Sequence, residues 1–558
     1  MNRECPKARL HTIKENQEEI GEEKGKMVED HMIKRNGGRT PATLSVFISD
    51  EVDPRCVEVL KENGIEVVKD TKLRLDKEKF LAEIGKYDGL IVRSATKVTA
   101  DIINAATNLK IIGRAGTGVD NIDCDAATRR GVIVMNTPGG NTLSAAEHTC
   151  ALMCCLSRDI PNAVATMRAG KWDRKAFMGS ELNGKTLGII GLGRIGKETI
   201  GFDPIIPGSV SAEFGVEWMD LEKLWPLVDY ITVHTPLIPQ TKNLISDKVF
   251  GLCKKGVRVV NCARGGIIDE EALLRALDNG NCGGAGLDVY VNEPPEDYKL
   301  AQHPKVIPTP HLGASTVEAQ TRVAVEIAEQ FVDAMNGKSL FGAINAQALQ
   351  NSMSPESQPW VRLGETLGTV LGNIGTSGQK SLKITTYGDS LKKAGGYLST
   401  AVQLGFMRSQ SQGGDEGVRH TLVSAPTLAK QLGIQAITSH SDAASASSGP
   451  EVTVSLDGFT VSGTVSGCDP VLLSIDGAPF SPPVQLKGST ILVKAKSSPQ
   501  LLADIAGKLA KNGAQMTGMS VSGETKGSQW GLVYLAVPPP SGVFGIQEAV
   551  QSAFSLRF

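Results

Sequence analysis

Gly191-Leu192-Gly193-Arg194-Ile195-Gly196 is a Gly-x-Gly-x-x-Gly placed directly after the apolar run Leu187 to Ile190. In that context the pattern can cradle a dinucleotide pyrophosphate. Gly191 would make the tight turn, Gly193 would let the backbone approach the phosphates, and Gly196 would let the next helix pack closely on the strand. A glycine-rich turn without a ligand is the plain alternative, and the preceding strand weighs against it. Asp203, closing the next short run, would take a ribose 2′-hydroxyl and repel a 2′-phosphate, which favours NAD over NADP.

The spacing departs from the pattern. The acidic residue ordinarily follows by roughly 20 residues, yet Asp203 follows Gly191 by twelve. Parallel strands need a crossover of about a dozen residues or more, so a standard βαβ unit is not expected between Gly191 and Thr199. The expectation is a rearranged second strand, a helix supplied from elsewhere, or a shortened and impaired form of an intact parent chain.

Eight His can be screened for acid–base chemistry. His11 and His31 fall in the N-terminal stretch, and His420 and His440 in a Gly/Ser-rich region. His148 lies on an apolar helical segment, where a satisfied core histidine is the plainer reading, and His303 precedes Pro304 in a polar loop. His234, in Ile231-Thr232-Val233-His234-Thr235-Pro236, and His311, in Pro308-Thr309-Pro310-His311-Leu312-Gly313-Ala314, follow apolar runs at strand C-termini, where open α/β sheets place ligands. Position alone leaves both as candidates. Taking a proton from a hydroxyl also needs a carboxylate to orient the base and a cation for an adjacent anion. Taken singly, Arg264 beside Gly265-Gly266 reads as a turn arginine, Glu293 before two prolines as loop polarity, Asp288 as a strand-end cap and Arg93 as a surface charge.

The elements that must position these groups alternate. Leu44 to Ser49, Ile65 to Lys69, Gly89 to Val92, Leu109 to Ile112 and Val132 to Met135 read as parallel strands of a doubly wound α/β domain, because they are short apolar runs without polar alternation. After a long helix around Leu143 to Ser157 a second set follows: Thr186 to Ile190, Thr199 to Phe202, Tyr230 to His234, Arg258 to Asn261, Gly284 to Val289 and Val306 to Thr309. Past the helix around Ser315 to Met335, Gly and Ser rise and long helical periodicity becomes scarce between Gln350 and Gly488. That region is expected to hold more antiparallel strand. The last stretch reads as a βαββα unit: strands at Thr490 to Lys494, Gln515 to Ser522 and Trp530 to Val537, with helices at Pro499 to Asn512 and Phe544 to Phe554.

With 558 residues the chain is long enough for three or four domains. Lys plus Arg total 58 against 60 Asp plus Glu, so no general charge draws it to nucleic acid or an anionic membrane. No apolar run reaches the roughly 18 residues of a membrane span. The charged first forty residues do not read as a secretory or mitochondrial signal, and residues 1–42 are expected to be a disordered extension. The ten Cys show no zinc spacing, so no metal is expected, and they are taken as reduced, mostly buried cytoplasmic thiols.

Asn261-Cys262-Ala263-Arg264-Gly265-Gly266-Ile267-Ile268-Asp269-Glu270, then Leu287-Asp288-Val289, Glu293-Pro294-Pro295 and Pro310-His311-Leu312-Gly313 resemble the D-2-hydroxyacid dehydrogenases. Val92-Arg93-Ser94-Ala95-Thr96-Lys97, Gly113-Arg114-Ala115-Gly116-Thr117-Gly118-Val119-Asp120 and the long C-terminal extension resemble the animal-type phosphoglycerate dehydrogenase branch.

The resemblance implies NAD-dependent oxidation of 3-phosphoglycerate, a small phosphorylated hydroxy acid, in serine biosynthesis. It implies His311 as base, Glu293 as its partner, and Arg264 on the substrate carboxylate. Thr117, Gly191, Gly193, Arg194, Ile195, Gly196, Asp203, Thr235, Cys262, Ala263, Asp288, Gly313 and Ala314 would line the NAD site. Arg93, Ser94 and Arg114 would bind substrate oxygens, and Arg174 would reach a partner subunit in a homo-oligomer, dimer or tetramer.

The implied architecture is a split substrate domain (43–138 and 316–344), a Rossmann NAD domain (139–315), an intervening domain (345–488) and an ACT-like regulatory unit (489–558). An NAD-linked corepressor of the same fold is the competing reading. The phosphate-binding set and the folded C-terminal unit argue against it.

Overall fold

The computed structural model describes residues 44–193, 201–202, 217–374, 381–410, 419–442, 449–538 and 550–558. The expected extension 1–42, and Arg194, Ile195, Gly196 and Asp203, lie outside the described residues.

Five short strands, β1 (Ser45–Ile48), β2 (Glu66–Lys69), β3 (Gly89–Val92), β4 (Ile111–Arg114) and β5 (Ile133–Asn136), form a parallel sheet in the order β2-β1-β3-β4-β5. Helix α1 (Pro54–Glu62) links the first two. Strand β3 is buried throughout, and β1, β4 and β5 over three of their four residues each, which explains their unalternating apolar pattern. The order reverses between β1 and β3. Such a reversal opens a ligand crevice at the C-terminal ends of the two strands.

The second sheet follows helices α2 (Thr142–Arg158) and α3 (Ile160–Arg168). Strands β6 (Leu187–Ile190), β7 (Gly201–Phe202), β8 (Tyr230–Val233), β9 (Val257–Asn261), β10 (Cys282–Leu287) and β11 (Val306–Pro308) run parallel in the order β11-β10-β9-β8-β6-β7. Its reversal falls between β6 and β8, beside Gly191 and Thr235. Contrary to the expectation from spacing, β7 does pair in parallel with β6, through Ile189↔Gly201 and Ile190↔Phe202. The strand is cut to two residues at the sheet edge. A connection to so short a strand climbs back only about 7 Å, which ten residues from Gly191 to Ile200 can span.

Helix α4 (Val317–Met335) returns the chain to the first sheet. Its Phe331 seats on two glycines: a Cβ on Gly89 would stand 2.6 Å from the ring, and one on Gly113 would overlap it.

Two long helices, α5 (Gln358–Ile374) and α6 (Gly395–Gln410), correct the expectation that helices thin out here. Glycine lowers helix propensity and so hides them in composition, but here it lets two helices approach. A Cβ on Gly364 would come 2.9 Å from that of Ala401, and Cβ atoms on Gly368 and Gly405 would overlap the carbonyls of Val402 and Glu365.

Strands β12 (Ser381–Tyr387), β13 (Gln435–Ser441), β14 (Glu451–Leu456), β15 (Phe459–Ser466), β16 (Asp469–Ile475) and β17 (Ala478–Gln485) form a sheet that is antiparallel except for the β12–β13 pair. One buried cluster runs from the first sheet through α4 and α5 into this sheet and the next.

The final unit has β18 (Ser489–Lys496), α7 (Leu501–Lys511), β19 (Met516–Val521), β20 (Ser528–Leu535) and β21 (Val550–Arg557), in the order β19-β20-β18-β21. The helix expected at Phe544 to Phe554 is therefore a strand from Val550 on, while 539–549 lie outside the described residues. Antiparallel pairing of β21 along β18 decides a short run whose periodicity is ambiguous.

The thiols are also less buried than expected. Among the nine described, all free, Cys56 and Cys282 are buried while Cys150, Cys154 and Cys468 are exposed. No helix among the described residues is long and apolar enough to cross a membrane.

Packing makes opposite predictions for two helical glycines, one at the α5–α6 crossing and one outside it. Gly368→Val should destabilise by about 1–3 kcal/mol or more through overpacking. Gly507→Ala, in α7 with open space around it, should stabilise by about 0.5–1 kcal/mol. Denaturant midpoints of the two variants check both signs.

Candidate active site

Each crevice is lined by the turns that leave the reversing strands. After β1, the Asp50 carboxylate is almost fully buried and organises the loop after β3. It accepts from the Arg93 N–H (2.6 Å), the Thr96 N–H (3.1 Å) and the Thr96 hydroxyl (2.6 Å), and Arg74 Nε lies 3.3 Å away. Asn121 clamps the same loop, donating to the carbonyls of Arg93 (2.7 Å) and Thr96 (2.6 Å) while accepting from Arg114 Nε (2.8 Å). Ser94 is exposed at the loop tip. Sequence reasoning missed Asp50 and Asn121. Nothing distinguishes a carboxylate that binds backbone amides from a surface one until the fold is known.

Arg264 leaves β9 in a turn held by Asn261, whose amide donates to the Arg264 carbonyl (2.8 Å) and whose oxygen accepts from Ala263 N–H (2.9 Å). A side chain on Gly265 would overlap the Tyr290 carbonyl, so the glycine lets the turns after β9 and β10 meet. The Arg264 guanidinium reaches across to the first sheet, where its Nε stands 3.0 Å from Asp120 Oδ2. It lies over Gly118, where any Cβ would overlap it. Burial pushes the Arg114 guanidinium down to about 10, and the charges of Arg264 and Arg93 push the same way against Asp120 and Asp50. Three guanidinium groups thus converge on the cleft between the sheets. Arg174 is exposed on the segment joining α3 to β6 and is not among the charges acting on Arg114.

His311 Nδ1 lies 2.7 Å from Glu293 Oε2. The hydrogen bond to Glu293 raises the imidazole above its usual 6.5 against the opposing effect of burial, with the charges of Glu293 and Asp288 helping and that of Arg264 opposing. For Glu293, burial alone would raise the carboxyl. Bonds from His311 and the Tyr290 N–H overcome it and hold the group below its ordinary range. His311 has φ +56°, a left-handed conformation costing about 1–2 kcal/mol.

The Asp288 carboxylate holds that shape. It is fully buried and accepts from Leu312 N–H (2.7 Å), Gly313 N–H (2.8 Å) and the Thr309 hydroxyl (2.6 Å), with His148 Nε2 at 3.2 Å. The Ala314 carbonyl accepts from Gln320. Burial pushes the other candidate, His234, down to about 4, and it pairs with Thr232 (3.0 Å). It is a neutral structural histidine.

Gly191 has φ +100°, and a Cβ there would stand 2.8 Å from the His234 carbonyl, while one on Gly193 would meet nothing among the described residues. Among the described residues Thr235 Oγ1 is buried with no partner, and Thr117 bonds to Asn141 at the head of α2 (2.6 Å). An orphaned hydroxyl beside an open glycine turn fits a dinucleotide that brings its own hydrogen-bonding groups.

Residues 150–313 match the D-isomer specific 2-hydroxyacid dehydrogenase, NAD binding domain. D-3-phosphoglycerate dehydrogenase of Homo sapiens is 49% identical over 532 residues, covering 92% of this chain and 98% of the relative. The enzyme of that name from Methanocaldococcus jannaschii is 35% identical over 503 residues, 87% and 94% of the two chains. The chain belongs to the D-3-phosphoglycerate dehydrogenase branch of the D-isomer-specific 2-hydroxyacid dehydrogenases. A glyoxylate reductase from Paecilomyes thermophila has a similar structure, with TM-score 0.51 and 28% identity over 55% of this chain and all of that one.

Glu293→Gln should bring the His311 titration down toward 6.5, because the hydrogen bond and the charge that raise it are both lost. An NMR titration of the imidazole in both proteins reads the shift.

Proposed function

We propose that the chain oxidises 3-phosphoglycerate to 3-phosphohydroxypyruvate, the entry step of serine biosynthesis. The observation that carries this reading is the convergence of Arg93, Arg114 and Arg264 beside the His311–Glu293 pair. A substrate bearing both carboxylate and phosphate supplies the anions that three neighbouring guanidinium groups need.

Arg264 holds the substrate carboxylate and polarises the C2 oxygen, exchanging Asp120 for the substrate. Arg93, Ser94 and Arg114 bind the remaining oxygens. His311 Nε2 takes the hydroxyl proton, since Nδ1 is engaged by Glu293, and Glu293 stabilises the imidazolium that results. A bound NAD would supply the hydride acceptor for C2. Gly191, Gly193, Thr235, Cys262, Ala263, Gly313 and Ala314 would line its site with Thr117, while Asp288 would face the carboxamide. Arg194, Ile195 and Gly196 would belong to the same NAD site, and Asp203 would take a ribose hydroxyl.

The domain boundaries we assign are 43–138 with 316–344, 139–315, 345–488 and 489–558. We also assign a homo-oligomer formed on the α2–α3 face, supported by the exposure of Ile160, Val164, Met167, Trp172 (76%) and Met178 (85%) nearby. Arg174, beside Trp172, would then reach the partner's cleft. Free thiols throughout the described residues support a reducing, cytoplasmic setting.

The two-residue β7 favours one second reading, a chain of the same family with weakened cofactor binding. NADH oxidation by the purified chain with 3-phosphohydroxypyruvate tests both. Turnover, with His311→Ala losing about 10²–10⁴-fold while still binding NADH, is the expected result. No turnover until three helical turns are inserted between Glu198 and Thr199 would assign the second reading. Because His311 is raised, oxidation should gain with pH through a midpoint above 6.5, and reduction should fall over the same range. Gly118→Ala displaces Arg264 and should raise KM for the substrate roughly tenfold or more, with NADH affinity unchanged.

A further inference from the structure

Behind the His311 turn, three groups from different elements meet: His148 Nε2 on α2, the Cys262 thiol after β9 and the Asp288 carboxylate after β10. Their ligand atoms all lie within 4.8 Å of one another. We propose that this cluster is a binding site for one zinc-class divalent cation, and that occupancy suppresses turnover.

The geometry suits such an ion. Bonds of about 2.0–2.1 Å from nitrogen and oxygen to a tetrahedral centre put the two ligand atoms about 3.3 Å apart, and His148 Nε2 stands 3.2 Å from Asp288 Oδ1. That distance is long for a strong charge-assisted hydrogen bond, and the metal would replace it together with the 3.1 Å contact of the same nitrogen to the Thr309 hydroxyl. The Cys262 sulfur, within 4.8 Å of both other ligand atoms and hydrogen-bonded to Thr149 in the metal-free chain, would complete a His, Cys and Asp set, a mix of donors that selects zinc over magnesium or calcium. Burial pushes the Cys262 thiol up to about 12. It is therefore protonated at neutral pH, and binding releases that proton to solvent as the sulfur–metal bond forms. Of the three ligands, His148 lines a cavity of about 540 Å³ together with Cys155, Pro161 and Thr309, which gives an ion a route to the imidazole side of the cluster.

Suppression follows from Asp288. The same Oδ1 that would bind the metal accepts from Leu312 N–H and the Thr309 hydroxyl. A cation drawing on that oxygen loosens the turn that carries His311. The site does not depend on which hydroxy acid the enzyme uses, and its first readout contains no turnover.

The test is a titration of the purified chain with Co²⁺, read by the near-ultraviolet thiolate-to-cobalt absorption and the visible bands of four-coordinate cobalt. One equivalent should bind, the thiolate band should vanish in Cys262→Ser, and His148→Gln should weaken binding roughly tenfold or more. Cys150 lies close enough to act on Cys262, so Cys150→Ser with Cys154→Ser must retain the band. Zn²⁺ should then compete with Co²⁺ and inhibit NADH oxidation in the same concentration range. Absence of a thiolate band, or a band that survives Cys262→Ser, overturns the proposal. If circular dichroism shows Cys262→Ser to be unfolded, His148→Gln decides, and unchanged affinity there overturns it.

Discussion

A buried carboxylate without a cationic partner is expensive unless backbone and hydroxyl donors replace its water. Asp288 meets that condition by gathering the amides of Leu312 and Gly313 and the hydroxyl of Thr309, and the catalytic turn is the shape those donors impose. His311 is carried into a left-handed conformation within this turn. Its own N–H donates to the carbonyls of Asp288 (2.9 Å) and Thr309 (3.1 Å), while the imidazole Nδ1 pairs separately with Glu293. The strain is paid locally by hydrogen bonds that would otherwise be unmade. The base is thereby held by its backbone as well as by its side-chain partner, so its orientation does not depend on substrate.

Charge is placed by a different means. Arg93 and Arg114 come from the first sheet and Arg264 from the second, and like charges at close range oppose one another unless countered. Asp50 and Asp120 supply the counter-charge, but differently. Asp50 is nearly inaccessible and spends its oxygens on the loop it shapes, whereas Asp120 is 69% exposed and sits on Arg264 as a displaceable partner. Glycine at 118 makes that crossing possible because no side chain intervenes. The resting cleft therefore holds Arg264 in a single place, and a substrate carboxylate has to compete with one solvent-screened ion pair worth about 0–1 kcal/mol.

Both parallel sheets were legible from the sequence because strands covered on two faces lose polar alternation, and the runs at Gly89 to Val92 and Tyr230 to His234 coincide with β3 and β8 almost residue for residue. Sequence order also separated the two candidate histidines from the other six. It did not choose between them, since His234 and His311 share a position relative to their strands and differ in burial, which only packing sets. Glycine in α5 and α6 looked like a break because propensity counts the isolated helix and not the close crossing that Gly368 and Gly405 permit. The last strand was read as a helix because Val550 to Phe554 is too short for either period to dominate. Residues such as Asn121 and His148 act by bridging segments far apart in sequence, and no local pattern announces them.

The short β7 divides the energetics of the cleft. Groups aimed at the reacting carbon come from the ends of β9, β10 and β11 and from the first sheet, and among the described residues none of their hydrogen bonds runs through β7. Contacts at the adenosine end of a dinucleotide are made equally in the ground and transition states, so they set how tightly the cofactor binds and not how fast a bound hydride moves. Weakening there raises the cofactor concentration needed for half-saturation while leaving the rate at saturation near its full value. An intact His311–Glu293 pair and arginine cluster are therefore compatible with a compromised nucleotide strand. The two halves of the site answer to different sequence constraints, and the shortening after Gly196 falls on only one of them.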